Sequence, residues 1–185
     1  VTRDFNGRQQ EGVGPYHLTI RDGQRCSAAV AYLKPIVAAR PNLRVISNAH
    51  AGRIVIARKK AIGVEYSAAR GKPVQGVYPK REVLVCGGAF QSPHLLLLSG
   101  IGPADELRKA GVAVEHDAPD VGRNLQDHLD VCVIYEMSKP ISMYSKTKGL
   151  KQPMVGLEYL FTGQGHGRTN HLHAGGFLKS RGELD

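Results

Sequence analysis

The period of apolar and polar positions changes several times along this chain. In GRIVIARKKAIGVEYSA (52–68), apolar runs at 54–57 and 61–66 flank the charged residues 58–60. Short apolar runs around a polar break predict a β-hairpin. Before it, NLRVISNAH (42–50) is β-branched and apolar and predicts a strand. REVLVCGG (81–88) is a continuous apolar run that stops at Gly87 and Gly88. That is the pattern of a strand covered on both faces. VCVIYEMS (131–138) alternates, with Cys132, Ile134 and Glu136 on one face and Val131, Val133, Tyr135 and Met137 on the other. HLHAGGFLKS (171–180) reads as a last strand.

Helical signals lie between these runs. QRCSAAVAYLKPIVAA (24–39) predicts a helix from about Ser27, ended or kinked at Pro35. In GGAFQSPHLLLLSGIGP, Ser92 suits an N-cap and Pro93 the first helical position. Residues 94–99 would form a short helix, with Gly100 at the left-handed position after it. PADELRKAG continues as a second helix: Asp105 and Glu106 fall in its first turn, Arg108 and Lys109 in its last, as the helix dipole favours. VAVEHD reads as a short strand, and residues 118–130 as a turn leading into a polar helical turn. LKQPMVGLEYLFTG (150–163) predicts a helix interrupted near Pro153.

This order of elements indicates an α/β fold with an α+β part. Composition narrows the picture a little. The 185 residues carry a net charge of +9. Residues 1–60 hold 11 Lys/Arg against 3 Asp/Glu. A basic first third is compatible with an anion- or nucleic-acid-binding module, but the arginines are scattered, as on a solvated surface. Cys26, Cys86 and Cys132 are far apart and odd in number, which argues for reduced thiols. No apolar run approaches the ~20 residues of a membrane span. No signal peptide is recognisable. Cytoplasmic location is the expectation, with peripheral contact at the inner membrane left open. The chain begins without Met or a clear element start, so a piece of a longer protein is expected.

Chemistry-bearing motifs are few. The strand end at Gly87 and Gly88, followed by a helix start, would put backbone N–H groups at the carboxyl edge of a sheet, where open α/β sheets bind ligands. Tight strand–helix packing explains the same glycines. A GxGxxG phosphate loop is absent, and so is a Walker loop. His171 and His173, with His166 nearby, have no carboxylate or thiol at ligand spacing, so no metal site is expected. Asp127 and His128 are adjacent and do not face one another on a helix.

GAFQSPHLLLLSGIG resembles the second signature of the glucose–methanol–choline (GMC) flavin oxidoreductases: a Gly-Ala pair, Ser-Pro, aliphatics, then Ser-Gly-aliphatic-Gly. Three further stretches agree in order: 4–33, 40–56 and DVGRNLQDHLD (120–130). The tail LEYLFTGQGHGRTNHLHAGGFLKSR is similar to the choline dehydrogenase branch. The resemblance implies a middle portion of a much longer FAD enzyme. Residues 1–130 would belong to a Rossmann-like FAD-binding domain, apart from a substrate-domain segment near the N-terminus. Residues 131–185 would start an antiparallel-sheet substrate domain. It implies FAD contacts at Ala51, Cys86, Gly87 and Gly88, and a substrate contact at Glu136, whose carboxylate would face a trimethylammonium group. The dinucleotide loop and the catalytic His would lie outside these residues. The implied reaction is hydride transfer from a small alcohol, choline-like or else aliphatic or aryl, to the flavin; the resemblance does not identify the final electron acceptor. Nucleic acid is not an expected partner. Strands lacking partners would favour self-association.

Overall fold

A computed structural model describes residues 1–69, 71–170 and 172–182. The chain divides into two compact units, Val1–Arg44 with Val133–Asp185, and Val45–Cys132.

The first unit opens with β1 (Gly12–Pro15) and a small hairpin, β2 (Ile20–Arg21) and β3 (Gln24–Arg25). Asp22 and Gly23 turn this hairpin with φ of 52° and 75°. Both residues must be left-handed in such a two-residue turn, and an Asp-Gly pair tolerates it. The helix expected from about Ser27 to Pro35 is only a π-helical turn, Ala29–Leu33, followed by turns. Phe5 anchors the unit. It is buried, and its ring centroid lies 5.4 Å from Tyr16 and 5.3 Å from Phe177. Such aromatic pairs add about 0.5–1.5 kcal/mol each beyond area burial.

The second unit is built on an antiparallel sheet. β4 (His50–Ala57) and β5 (Lys60–Ser67) form the expected hairpin, and β6 (Gln75–Val77) extends it as a third strand. Arg58 and Lys59 form its turn at φ 50° and 62°. Against β4 packs α1 (Gly88–Leu98), which begins with Gly87 as its cap. The expected start at Ser92 is therefore corrected: Ser92 and Pro93 lie inside the helix. Pro93 costs one intrahelical hydrogen bond there, since it has no N–H. Gly88 takes φ 79°, and Gly100 takes φ 82° after the helix, as expected for that position. A side chain at Gly100 would also collide with the Ala113 carbonyl. β7 (Ile101–Gly102) pairs in parallel with β8 (His116–Asp117), joined by α2 (Ala104–Lys109). Ile54, Pro103 and Leu107 are buried apolar side chains of this unit.

The chain then returns to the first unit with α3 (Tyr144–Thr147), α4 (Lys151–Thr162), a 3-10 turn at His166–Arg168 and β9 (Ala174–Phe177). β9 pairs antiparallel with β1. Pro153 does not interrupt α4, because it falls in the first turn, where backbone N–H groups have no intrahelical partner anyway.

Four expected elements are absent. Residues 42–49, 81–87 and 131–138 are not in strands, and residues 124–130 form no helical turn. A strand exists by its ladder. None of the described residues pairs with 81–87 or 131–138. Their sequences still carry strand periodicity: Val83 and Val85 are half-buried while Leu84 is exposed.

Candidate functional site

The convergence of β4 and α1 creates a cavity of about 460 Å³ in the second unit. Ala51 lines it from β4, and Cys86 and Gly87 line it from the segment that leads into α1. Val83, Val85, Leu95 and Leu98 give it an apolar wall, while His50, Gln91 and His94 add polar groups. Three of the four residues expected to contact a cofactor thus meet at one cavity. Gly88, the fourth, is the next residue of the chain and opens α1. Its left-handed backbone requires glycine, but a Cβ there would meet open space. At Gly87 a Cβ would come within 2.9 Å of the Gln91 Cβ and 3.1 Å of the Ser92 nitrogen. One glycine is needed for conformation, the other for space.

The first turn of α1 has no side-chain cap and no acidic residue. Its N–H groups and the positive end of the helix dipole are available to an electron-rich group. What holds α1 against the sheet is Ser99. Its hydroxyl donates to the Leu95 carbonyl at 2.5 Å and accepts from the Ile54 N–H at 2.8 Å. The Ser-Gly pair that ends the Leu run therefore fixes the helix relative to β4. Sequence reading placed Ser99 in the helix without seeing that role, since its partner is 45 residues away. His50, Gln91 and His94 were also missed: each polar residue looks ordinary until folding places it on the cavity.

FAD, the group implied by the resemblance, fits this chemistry in part. An apolar-walled cavity of this size holds a heteroaromatic ring with a sugar, not a whole dinucleotide. The glycines at its edge let backbone approach closely.

Glu136 lies elsewhere, in the first unit, on an exposed extended segment. Its neighbours Ile134 and Tyr135 are 90% and 83% exposed, so the expected two-faced strand is replaced by an uncovered apolar run. The Asp127 carboxylate accepts the His128 backbone N–H at 2.8 Å, a local turn bond. His171 lies outside the described residues. His173 meets the Thr169 hydroxyl at 2.7 Å. Among the described residues no cluster of three metal-ligating side chains occurs. No helix of the described residues is long and apolar enough to cross a membrane.

Comparison with known proteins places these features in context. The family profile described as GMC oxidoreductase matches residues 1–130. The oxygen-dependent choline dehydrogenase of Brucella anthropi is 44% identical over 185 residues, 100% of this chain and 33% of that protein. The same-named protein of Pseudomonas aeruginosa is 44% identical over 181 residues, 97% of this chain and 32% of the relative. The chain thus spans about a third of the length of these relatives. Among solved structures, pyridoxine 4-oxidase from Mesorbium loti matches with TM-score 0.61 and 41% identity, over 67% of this chain and 24% of that one. An FAD-dependent oxidoreductase from Chaetomium thermophilum matches with TM-score 0.71 and 25% identity, over 88% of this chain and 29% of that one.

Proposed function

Because the chain belongs to the GMC oxidoreductase family, we propose that it binds FAD at the cavity between β4 and α1 and serves an enzyme that oxidises a small alcohol. The observation that carries this reading is the meeting of Ala51, Cys86 and Gly87 at one cavity, beside an uncapped helix start. Family membership supersedes the basic binding module as an account of the chain; the charge of residues 1–60 is then surface charge.

FAD, when bound, supplies the acceptor for a hydride. This chain's own residues do the binding. Val83, Val85, Leu95 and Leu98 exclude water from a ring seated in the cavity. Ala51 leaves room for it where a larger side chain would fill the space. Gly87 and Gly88 bring backbone close, and the first N–H groups of α1 offer donors. We assign the second unit to the FAD-binding domain, and residues 133–185, with a segment near the N-terminus, to the substrate domain. The base that takes the alcohol proton lies, in this reading, outside these 185 residues, so they are inactive alone.

A choline-like primary alcohol is the proposed substrate. Its support is the choline dehydrogenase relatives and the carboxylate of Glu136, which would pair with a quaternary ammonium group. An aliphatic or aryl alcohol is the alternative within the family. Three unpaired thiols suit a reducing, cytoplasmic setting. The test is anaerobic mixing of the full-length flavin-loaded protein with alcohols. Choline should bleach the flavin absorbance faster than a neutral alcohol of similar size. Bleaching by no alcohol would refute the reaction; preference for the neutral alcohol would refute the choline assignment.

A further inference from the structure

A second cavity, of about 420 Å³, lies within the first unit and shares no lining residue with the cavity between β4 and α1. Three pieces of chain build it: the β2–β3 hairpin, the C-terminal end of α4 and the 3-10 turn His166–Arg168. The Tyr159 hydroxyl donates to the Gly23 carbonyl at 3.0 Å and ties α4 to the hairpin turn. Gly23 is buried, and a Cβ on it would meet the Arg168 Cγ at 2.7 Å. The aliphatic stem of Arg168 therefore lies directly on this glycine. Its guanidinium donates to the Gln164 carboxamide oxygen at 2.6 Å. Packing and a hydrogen bond together hold the charge in place.

The lining is one-signed. Arg25 and Arg168 both face the cavity, and no carboxylate lines it. Neither arginine has an ion-pair partner among the described residues. Arg168 is bonded to a neutral group, which leaves its positive charge uncompensated. Thr19 and Asn170 add polar groups. The Asn170 side-chain oxygen accepts from the Leu172 N–H at 3.2 Å, so its NH₂ group remains as a donor. Two guanidinium groups with a carboxamide and a threonine on one lining offer the donors that a small oxyanion takes.

We infer that the cavity between the β2–β3 turn and the 3-10 turn at His166–Arg168 is a binding site for a small oxyanion, phosphate or carboxylate. Arg25 and Arg168 supply the charge, and Gly23 is glycine so that Arg168 can lie over the turn. The site shares no lining residue with the proposed flavin cavity.

Isothermal titration of the full-length protein at constant ionic strength, in chloride buffer, tests this. Inorganic phosphate and acetate are the two probes, and their relative affinities identify the preferred oxyanion. The expected result is saturable binding of at least one probe at one site per chain. Arg25→Gln and Arg168→Gln should each weaken it about tenfold, while bound flavin stays at the parent level. Arg168→Gln removes packing on Gly23 and can unfold the turn, so Arg25→Gln, at an exposed position, is decisive. Binding undiminished in Arg25→Gln, or no saturable binding of either probe, overturns the inference.

Discussion

Ser99 shows how one side chain positions a site it does not touch. Its hydroxyl makes two hydrogen bonds at a buried position, one within α1 and one to β4. Ser99→Ala would leave the Ile54 N–H unsatisfied in a buried setting, which costs about 1–3 kcal/mol. A lower midpoint of urea unfolding in the full-length protein is the expected outcome, together with weaker FAD retention. Glu136 is argued at the same scale. Replacing it by Gln removes a charge with little change in volume. If it faces a quaternary ammonium, Glu136→Gln should raise the KM for choline about tenfold more than that for a neutral alcohol. Equal changes for both substrates would remove the residue from the substrate site. The legibility of the two positions differs for a physical reason. Ser99 belongs to a Ser-Gly-Ile-Gly run whose spacing is informative, yet its partner can be found only in three dimensions. Glu136 stands in an alternating run whose meaning depends on strands not paired to it.

At the level of elements, the hairpin was legible and its turn chemistry less so. Two apolar runs around Arg58, Lys59 and Lys60 suffice to predict β4 and β5. Arg58 and Lys59 nevertheless hold left-handed backbone that L-residues adopt at a cost of about 1 kcal/mol or more each. Lys59→Gly should therefore stabilise the protein by about 1 kcal/mol, read as a raised thermal midpoint. The second hairpin carried the stronger signal, Asp22-Gly23, and was overlooked because its strands are only two residues long. The α1 start was misjudged because Ser92-Pro93 is a good local signal. Helix continuity back to Gly88 prevailed at the cost of one hydrogen bond. Glycine pairs under aromatic rings are a further device of the sheet. Cβ atoms at Gly63 and Gly76 would come within 2.7 Å and 2.9 Å of the Tyr78 ring. Gly63→Val should displace that ring and loosen β6, seen as faster amide exchange at residues 75–77.

Across the whole molecule, apolar exposure is the dominant feature. Phe90, Leu129, Ile134 and Phe161 are 71%, 95%, 90% and 81% exposed, while Phe5, Ile54, Pro103 and Leu107 are the buried apolar side chains among the described residues. Surfaces of this kind call for a cover, from further chain or from another copy. Expressed alone, the 185 residues should self-associate, giving a sedimentation coefficient that rises with concentration; a concentration-independent monomer would contradict this. Family membership was legible because four motifs occur in order, each tied to backbone geometry: glycines at turns, a Ser-Pro inside a helix, a Ser at its end. The assembly of the cavity was not, since β4 and the segment before α1 are distant in sequence and joined only by folding. The central claim is that this cavity holds part of FAD. It is tested most directly by measuring the FAD affinity of full-length Ala51→Trp by flavin fluorescence, with circular dichroism to check folding. The indole would fill the cavity, and the account predicts at least about tenfold weaker binding with an unchanged spectrum. Parent-level affinity in a folded Ala51→Trp protein would contradict it.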